Sequence, residues 1–412
     1  MERKTLESPE KPRVTITWEE AKEMLIRAAG PAGQEMCPLD ESCGRILAED
    51  LISGLNQPPF RRSAMDGYAL RSADIAGASP ESPAVLKVSG CLLAGDTPLP
   101  PGFLKSGEAV RIMTGAPVPD EADQVIRQED TDEGEERVRV YRSGNGRNNI
   151  SPVGEDFAQG ECLIRRGTRI DAYALSCACA AGVTALPVRK RIRAGLIMTG
   201  SELVPPGEAL RPGKIYNSSG AFLKGRLSQL GCSVEAAFYA EDEREKITEL
   251  ILKMKRDTDL IITTGGVSVG KRDLVPEALH EAGAEILFHG IAIKPGMPTL
   301  GALCGGVPVL GLSGNPFSAA AIFELLGRPL IWRMIGGSGE AFTKTEALLD
   351  REVVQNGNQP RVMMGIFDGR NVRVYGKQQN AQMKYGIGSN CMLILPPGQA
   401  VYPAGEKVQI LL

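Results

Sequence analysis

Histidine is almost missing from this chain of 412 residues: only His280 and His289 occur. Histidine-based catalysis and a histidine-rich zinc site are left with few candidates, so the chemistry falls to carboxylates, lysines and backbone amides. An excess of charge is missing too. Forty-seven basic side chains face 50 acidic ones, for a net charge of -3; no general attraction to nucleic acid follows, and any anion must be held by local groups. No apolar run reaches the roughly 18 residues a membrane span needs, and the opening MERKTLESPEKPR has no apolar stretch that reads as a secretory signal or anchor. Neither nucleic acid nor membrane is an expected partner. The nine cysteines are odd in number and scattered. The closest pair, Cys177 and Cys179, is separated by one residue rather than the two of most zinc or redox motifs, which suits reduced thiols and a cytoplasmic setting.

What is present points to several domains. At roughly 100 to 200 residues per domain the length suggests two to four, and 48 glycines and 28 prolines imply many tight turns. Residues 18–29 put Met24, Leu25 and Ala28 on one helical face, with Thr17 as cap and Glu19 and Glu20 in the first turn. From about 50 to 149 the texture changes to short alternating segments, such as 84–88 and 137–141, between Pro, Gly and Asp clusters, which reads as a small β domain. An apolar helix at 172–181 is then expected to pack against the first helix, making the β region an insertion. After residue 188 strands (194–198, 233–239, 260–264, 285–288, 309–312) alternate with helices (220–230, 243–255, 274–282, 316–333). That order predicts a mostly parallel, doubly wound sheet with helices on both faces. Past 336 the chain is β-rich again, near 361–367, 372–375, 392–395 and 408–412, as in a small barrel or sandwich. The expected division is a helical and linker domain at 15–55 and 150–187, an inserted β domain at 56–149, an α/β domain at 188–335 and a C-terminal β barrel at 336–412.

Ligands of doubly wound sheets bind beyond the carboxyl ends of the strands, and three such ends carry polar, glycine-bearing loops. In DLIITTGGVSVGKRD, the glycines Gly265, Gly266 and Gly270 let backbone amides approach a phosphate, with Ser268 between them and Asp273 at the following helix start. A nucleotide-hydrolase reading fails at Arg272, which stands where a magnesium-holding Ser or Thr belongs; a ligand-free strand-to-helix turn remains the plain alternative. In VLGLSGNPFS, Gly314 follows Ser313, Asn315 suits a helix cap and Pro316 its first residue, and the helix start is expected to lie open to an anion. The third end, LIMTGSE, delivers Thr199, Ser201 and Glu202. In the early β region Asp66, Thr114 and Asp156 sit in glycine-flanked loops, where carboxylate and hydroxyl oxygens can reach a hard cation.

The stretches SAMDGYA, GEAVRIMTGAPVP, VGED, MTGSEL, GKIYNSS, TTGGVSVGKRD, IKPGMP and GLSGNPFSA together resemble the MoeA family, also seen as the E domain of gephyrin, from about residue 15 to the end. The resemblance implies an elongated homodimer of four-domain chains. It places the active site between the molybdopterin-binding α/β domain of one subunit and the inserted β domain of the other. The implied reaction joins molybdate to adenylylated molybdopterin, yielding molybdenum cofactor and AMP with Mg2+, and the product passes to molybdoenzymes or their chaperones. By motif position, Asp66, Asp156, Glu202 and Asp273 are implied at magnesium, water or substrate. Gly265, Gly266, Ser268 and Gly270 fall on the phosphate loop, and Lys294 lies near molybdate and phosphate. Glu241 and Asp242 occupy the place of an acidic pair, with Asp242 as the expected metal ligand. The chain departs from the family where Gly290 and Met297 replace lysines and where Ser313 replaces a proline. His289, Lys271 and Arg272 are the groups that can compensate, and weaker molybdate capture or altered metal choice is expected. Against this reading stand an adenylyltransferase of the same fold, a tungstate-preferring or weakly active paralogue, and a noncatalytic dimeric scaffold.

Overall fold

The computed structural model describes residues 16–143, 148–268, 273–355, 357–376 and 378–412. Helix α1 (Trp18–Ala28) begins where the sequence supplies its own cap. The Glu20 amide donates to Thr17 Oγ1 at 3.1 Å and the Thr17 amide to Glu20 Oε2 at 2.8 Å, the reciprocal pair that satisfies two orphan donors. Trp18, Ala21 and Leu25 are buried, but not against the second helix as expected: they share a core with Ile192, Leu326 and Leu330. Helix α2 (Ala172–Ala180) instead sets Ala178 among Leu47, Ile164, Leu186 and Val188. An alanine-rich helix offers little area to cover a Trp and a Leu, whereas the aliphatic layer of the α/β region offers much more.

The early β region is a five-stranded sheet in the order Gln124–Arg127, Gly67–Leu70, Glu108–Ile112, Ala84–Leu92, Arg137–Val140. Both of its faces are covered. Ala69, Val110 and Val125 turn one way and Tyr68, Leu70, Ala109 and Ile126 the other, the two-residue period of pleated strands. Gly67 is obligatory next to Asp66, because a Cβ there would collide with the Ile126 carbonyl. The short strand Arg62–Ser63 pairs with Ile150–Ser151, and Gln57 bridges to Phe157, which knits the segments before and after the sheet together.

The site is positioned by a six-stranded sheet whose strands we label β1 (Arg193–Thr199), β2 (Ser233–Ala240), β3 (Leu260–Thr264), β4 (Glu285–His289), β5 (Leu300–Cys304) and β6 (Val307–Leu312). Their spatial order is β2-β1-β3-β6-β5-β4. The first four run parallel to one another, β5 runs opposite to both of its neighbours, and β4 therefore points the same way as the first four. Helix α3 (Ser218–Gln229), α1, and the continuous run of α6 (Pro316–Ile322), a π turn over Phe323–Gly327 and α7 (Arg328–Met334) cover one face. Helices α4 (Arg244–Asp257) and α5 (Val275–Glu281) cover the other. Alternation along β1 shows the division: Leu196 and Met198 join the first core and Ile197 the second. Strand β5, which the alternation of segments did not reveal, is joined to β6 through Gly305 and Gly306, both at positive φ (59° and 88°), as a two-residue hairpin turn requires. The C-terminal part is a closed barrel of Lys344–Leu349, Asn371–Val374, Arg361–Phe367, Cys391–Leu395 and Lys407–Leu411.

Candidate active site

The carboxyl ends of β1, β3 and β6 lie side by side, and their loops touch. Thr199 Oγ1 donates to the Thr264 carbonyl at 3.2 Å, and the Gly265 amide donates to the Leu312 carbonyl at 3.0 Å. Gly265 and Gly266 take φ of 83° and 63°. A side chain on Gly265 would run into the Thr199 carbonyl, one on Gly266 would stand 3.0 Å from Thr199 Oγ1, and one on Gly314 would stand 3.5 Å from Gly265 Cα. The three loops thus meet closely, and at Gly265 and Gly266 the positive φ and the Thr199 contacts leave room for glycine alone, whereas a side chain on Gly314 would make an ordinary contact. Ser268 is half-buried beside them. Gly270, and with it Lys271 and Arg272, lies outside the described residues.

Two helix starts differ from expectation. Helix α5 has seven residues, Leu274 occupies its cap position without a side-chain bond, and the Val275 amide already donates to the Gly266 carbonyl at 3.0 Å; Asp273 stands just ahead of it. At α6, Asn315 holds the cap position, yet its side chain makes no capping bond. Its own amide donates to Ser313 Oγ at 3.3 Å. The amides of Phe317 and Ser318, one and two residues after Pro316, donate to the Asn380 carbonyl at 3.0 and 3.2 Å. The helix start expected to lie open to an anion is therefore largely filled by a barrel carbonyl, and Gly314 contributes close approach rather than a free helix end.

On the β1 side the Ser201 amide donates to Asp242 Oδ2 at 3.4 Å, and Lys214 Nζ donates to the Ser201 carbonyl. The Glu202 carboxylate folds back over Gly200, whose Cβ would lie 2.8 Å from either oxygen. Glu241 turns away to Lys246 at 2.9 Å, and that ammonium holds its carboxyl below the usual range. The acidic pair is thereby separated: Asp242 faces the β1 loop with Glu202, while Glu241 belongs to a surface ion pair. Lys294 is exposed, with no hydrogen bond or ion pair at its ammonium among the described residues. Its backbone is fixed between Pro360, whose carbonyl accepts its amide at 2.9 Å, and Val362. Its loop is braced by Gly296, where a Cβ would collide with Ile322.

In the β region Asp66 Oδ1 accepts both the amide and the hydroxyl of Thr114 at 2.7 Å. The hydroxyl first, then the amide, holds this carboxyl below its ordinary pKa, so Asp66 is a carboxylate at neutral pH. Asp156 is exposed, its amide donating to the Gln57 carbonyl at 2.9 Å, and it shares no bond with Asp66. Nor does any hydrogen bond or apolar core among the described residues join Asp66, Thr114 or Asp156 to Thr199, Gly265 or Ser313. Likewise, no group of three or more Asp, Glu, His or Cys residues among them is arranged to hold a metal. One chain does not assemble Asp66, Asp156, Glu202, Asp242 and Asp273 into one cluster.

Residues 16–182 match the MoeA N-terminal region (domain I and II), and residues 195–333 match a probable molybdopterin binding domain. Over 407 residues the chain is 34% identical to the molybdopterin molybdenumtransferase of Synechococcus elongatus, covering 96% of this chain and 99% of that protein. The chain belongs to the MoeA family. Its Bacillus subtilis relative of the same name is 31% identical over 97% of this chain and 94% of that protein. The solved MoeA structure from Pyrococcus horikoshii OT3 superimposes with a TM-score of 0.84 at 29% identity, over 97% of this chain and 100% of that one. Within this MoeA fold the sequence reading missed two supporting groups. Lys214 sits in the quoted GKIYNSS motif, but nothing local reveals its partner at Ser201. Asn380 carries no motif at all, and only the docking of the barrel brings its carbonyl to α6.

Proposed function

We propose that this chain transfers molybdenum from molybdate to adenylylated molybdopterin, releasing AMP. The observation that carries the reading is the junction of Thr199, Gly265, Gly266 and Gly314 at the ends of adjacent parallel strands, where open sheets take ligands, with an exposed Lys294 ammonium that has no partner among the described residues on the loop after β4. The Gly265 amide is already given to Leu312, so the amides of 266–268 are the ones that cradle phosphate oxygens, and Lys294 attracts the oxyanion. The Thr199 hydroxyl is used by Thr264, so Thr199 braces the loop, while Ser313 shapes the turn. Glu202, folded over Gly200, and Asp242, bonded to the Ser201 amide, both lie against the loop that follows β1, and they are the hard oxygen donors that magnesium combines with water and phosphate oxygens. Magnesium bound there would neutralise charge on the anhydride. The chemistry balances simply: water cleaves the phosphoanhydride to give AMP, and one molybdate oxygen leaves as water, carrying the two dithiol protons as two molybdenum–sulfur bonds form. Acidic groups such as Asp273 position that water and those protons.

The separation of Asp66, Thr114 and Asp156 from the junction within a chain supports a homodimer, in which these residues face the junction of the partner subunit. Nine free cysteines, and the lack among described residues of a helix long and apolar enough to cross a membrane, are in keeping with a cytoplasmic enzyme of reduced thiols. The test is direct: adenylylated molybdopterin is bound to purified protein and molybdate or tungstate is added with magnesium. Molybdate should trigger release of about one AMP per site. Tight binding without AMP release would favour a scaffold and overturn the proposal, and faster release with tungstate would replace molybdate as the substrate.

The missing lysines give a graded prediction. Gly290 has φ of 108°, so a lysine there is strained even though nothing lies within 3.9 Å of its added Cβ. Met297 is 41% exposed, and its backbone is fixed by the Ile291 and Thr299 amides, which makes Met297→Lys the clean substitution. Near a dianion in a partly desolvated site an ammonium contributes on the order of 1–2 kcal/mol, roughly tenfold in affinity. Met297→Lys should lower the molybdate concentration for half-maximal AMP release by about that factor and leave affinity for adenylylated molybdopterin within about threefold. An unchanged molybdate dependence in the folded variant would mean that another cation already fills the role.

A further inference from the structure

One contact couples the two halves of the junction. His289, the last residue of β4, places Nε2 2.8 Å from the Val267 carbonyl. A carbonyl only accepts, so the ring proton is on Nε2 and the neutral imidazole is the Nε2–H tautomer. The other restraints on the glycine-rich loop come from the strands beneath it and from the start of α5, whose Val275 amide donates to the Gly266 carbonyl at 3.0 Å. Gly265 is bonded to Leu312, Thr199 lies against Gly265 and Gly266, and the Val267 side chain is seated on Gly311, where an added Cβ would stand 2.9 Å from Val267 Cγ1. Among the described residues, His289 supplies the side-chain bond between this loop and the segment carrying Lys294. That segment is itself rigid: the Gly290 amide donates to the Thr299 carbonyl at 2.8 Å, and Thr299 Oγ1 to the Gly296 carbonyl at 2.6 Å.

We propose that His289 is a positioning residue, which sets the spacing between the phosphate loop and Lys294 by donating Nε2–H to Val267. The proposal rests on the reading of this junction as the adenylylated-molybdopterin site, and it replaces the idea that His289 substitutes for a missing lysine. With Nε2–H engaged, the neutral ring has only an acceptor nitrogen left, which gives an oxyanion no donor. The role is a fixed distance between two anion-holding elements, and misplacement of such groups is costly even when neither is lost.

The test compares His289→Leu, which removes the donor, with His289→Gln, whose amide nitrogen lies the same number of bonds from Cβ as Nε2. His289→Leu should raise KM for adenylylated molybdopterin by about tenfold, the loss of one hydrogen bond in a shielded site, and change the molybdate dependence by less than threefold; His289→Gln should restore KM to within threefold of wild type. Two readouts need no substrate. Nitrogen-15 NMR of the ring should show Nε2 protonated and Nδ1 bare in the neutral form, and hydrogen exchange of a peptide containing residues 265–268 should quicken in the Leu variant and not in the Gln variant. A proton on Nδ1, or equal exchange in both variants, overturns the assignment whatever the protein's reaction. Wild-type protein that binds adenylylated molybdopterin yet releases no AMP would sink the functional reading and leave these two readouts intact.

Discussion

Asp273→Asn should lower molybdate-dependent AMP release at least a hundredfold while moving the thermal midpoint by no more than about 3 °C. The magnitudes decide between two roles. An acidic residue ahead of a helix stabilises it through the dipole by about 0.3–1 kcal/mol, a factor of about five at most even if all of it were lost in the transition state. A hundredfold loss needs about 2.7 kcal/mol of transition-state stabilisation. The structural need at this helix start is modest, because α5 has only seven residues and its Val275 amide is bonded to the Gly266 carbonyl. A carboxylate that holds water or a cation at the phosphoanhydride would, by contrast, be lost entirely with its charge, since asparagine keeps the volume and removes the negative oxygen. A loss of tenfold or less, or a fall in thermal midpoint that accounts for the lost activity, would return Asp273 to a structural role. Single-turnover AMP release and calorimetry on the same preparation separate the outcomes.

Two inactive variants should complement each other if the site is shared between subunits. An Asp66→Ala chain keeps the α/β junction intact, and an Asp273→Ala chain keeps the β-region loops intact. After unfolding and joint refolding, half of the dimers pair one chain of each kind, and each such dimer has one complete site and one site lacking both carboxylates. About a quarter of wild-type activity should therefore return from two parents that have almost none. The structural motive is that Asp66, bonded to Thr114, lies on a sheet with its own two-sided core, apart from the junction at Gly265 in the same chain. Mixed dimers no more active than either parent would place the complete site within one chain.

The elements most legible in the sequence were those whose local chemistry fixes them. Thr17 with Glu20 writes a helix start; 260–264 is an apolar run followed by glycines, and it forms β3 followed by the positive-φ turn at Gly265 and Gly266. Strand β5 was missed although the sequence carries the pair Gly305–Gly306, because 309–312 was read as one more strand of a mostly parallel sheet directly after 285–288, with no element assigned between them. Helix α1 was given the wrong neighbour: periodicity says which face is apolar but not which surface will cover it. Among the site residues, motif spacing placed Thr199, Gly265, Gly266 and Gly314 on strand ends, and the sheet order brought those ends together.

By itself the sequence determined the near balance of overall charge, and also the fold class, the strand ends that carry polar loops and the glycines of the phosphate loop, since each of these last depends on near neighbours along the chain. Tertiary structure alone decided the rest. It set Asn380 of the barrel on the amides of α6, turned Glu241 to Lys246 and Asp242 to Ser201, bonded Lys214 to the Ser201 carbonyl, and joined His289 to Val267. The reason is physical: a hydrogen-bonding group is satisfied by whatever complementary group packing brings within about 3 Å, and the packing that brings it there is fixed by cores assembled from distant parts of the chain.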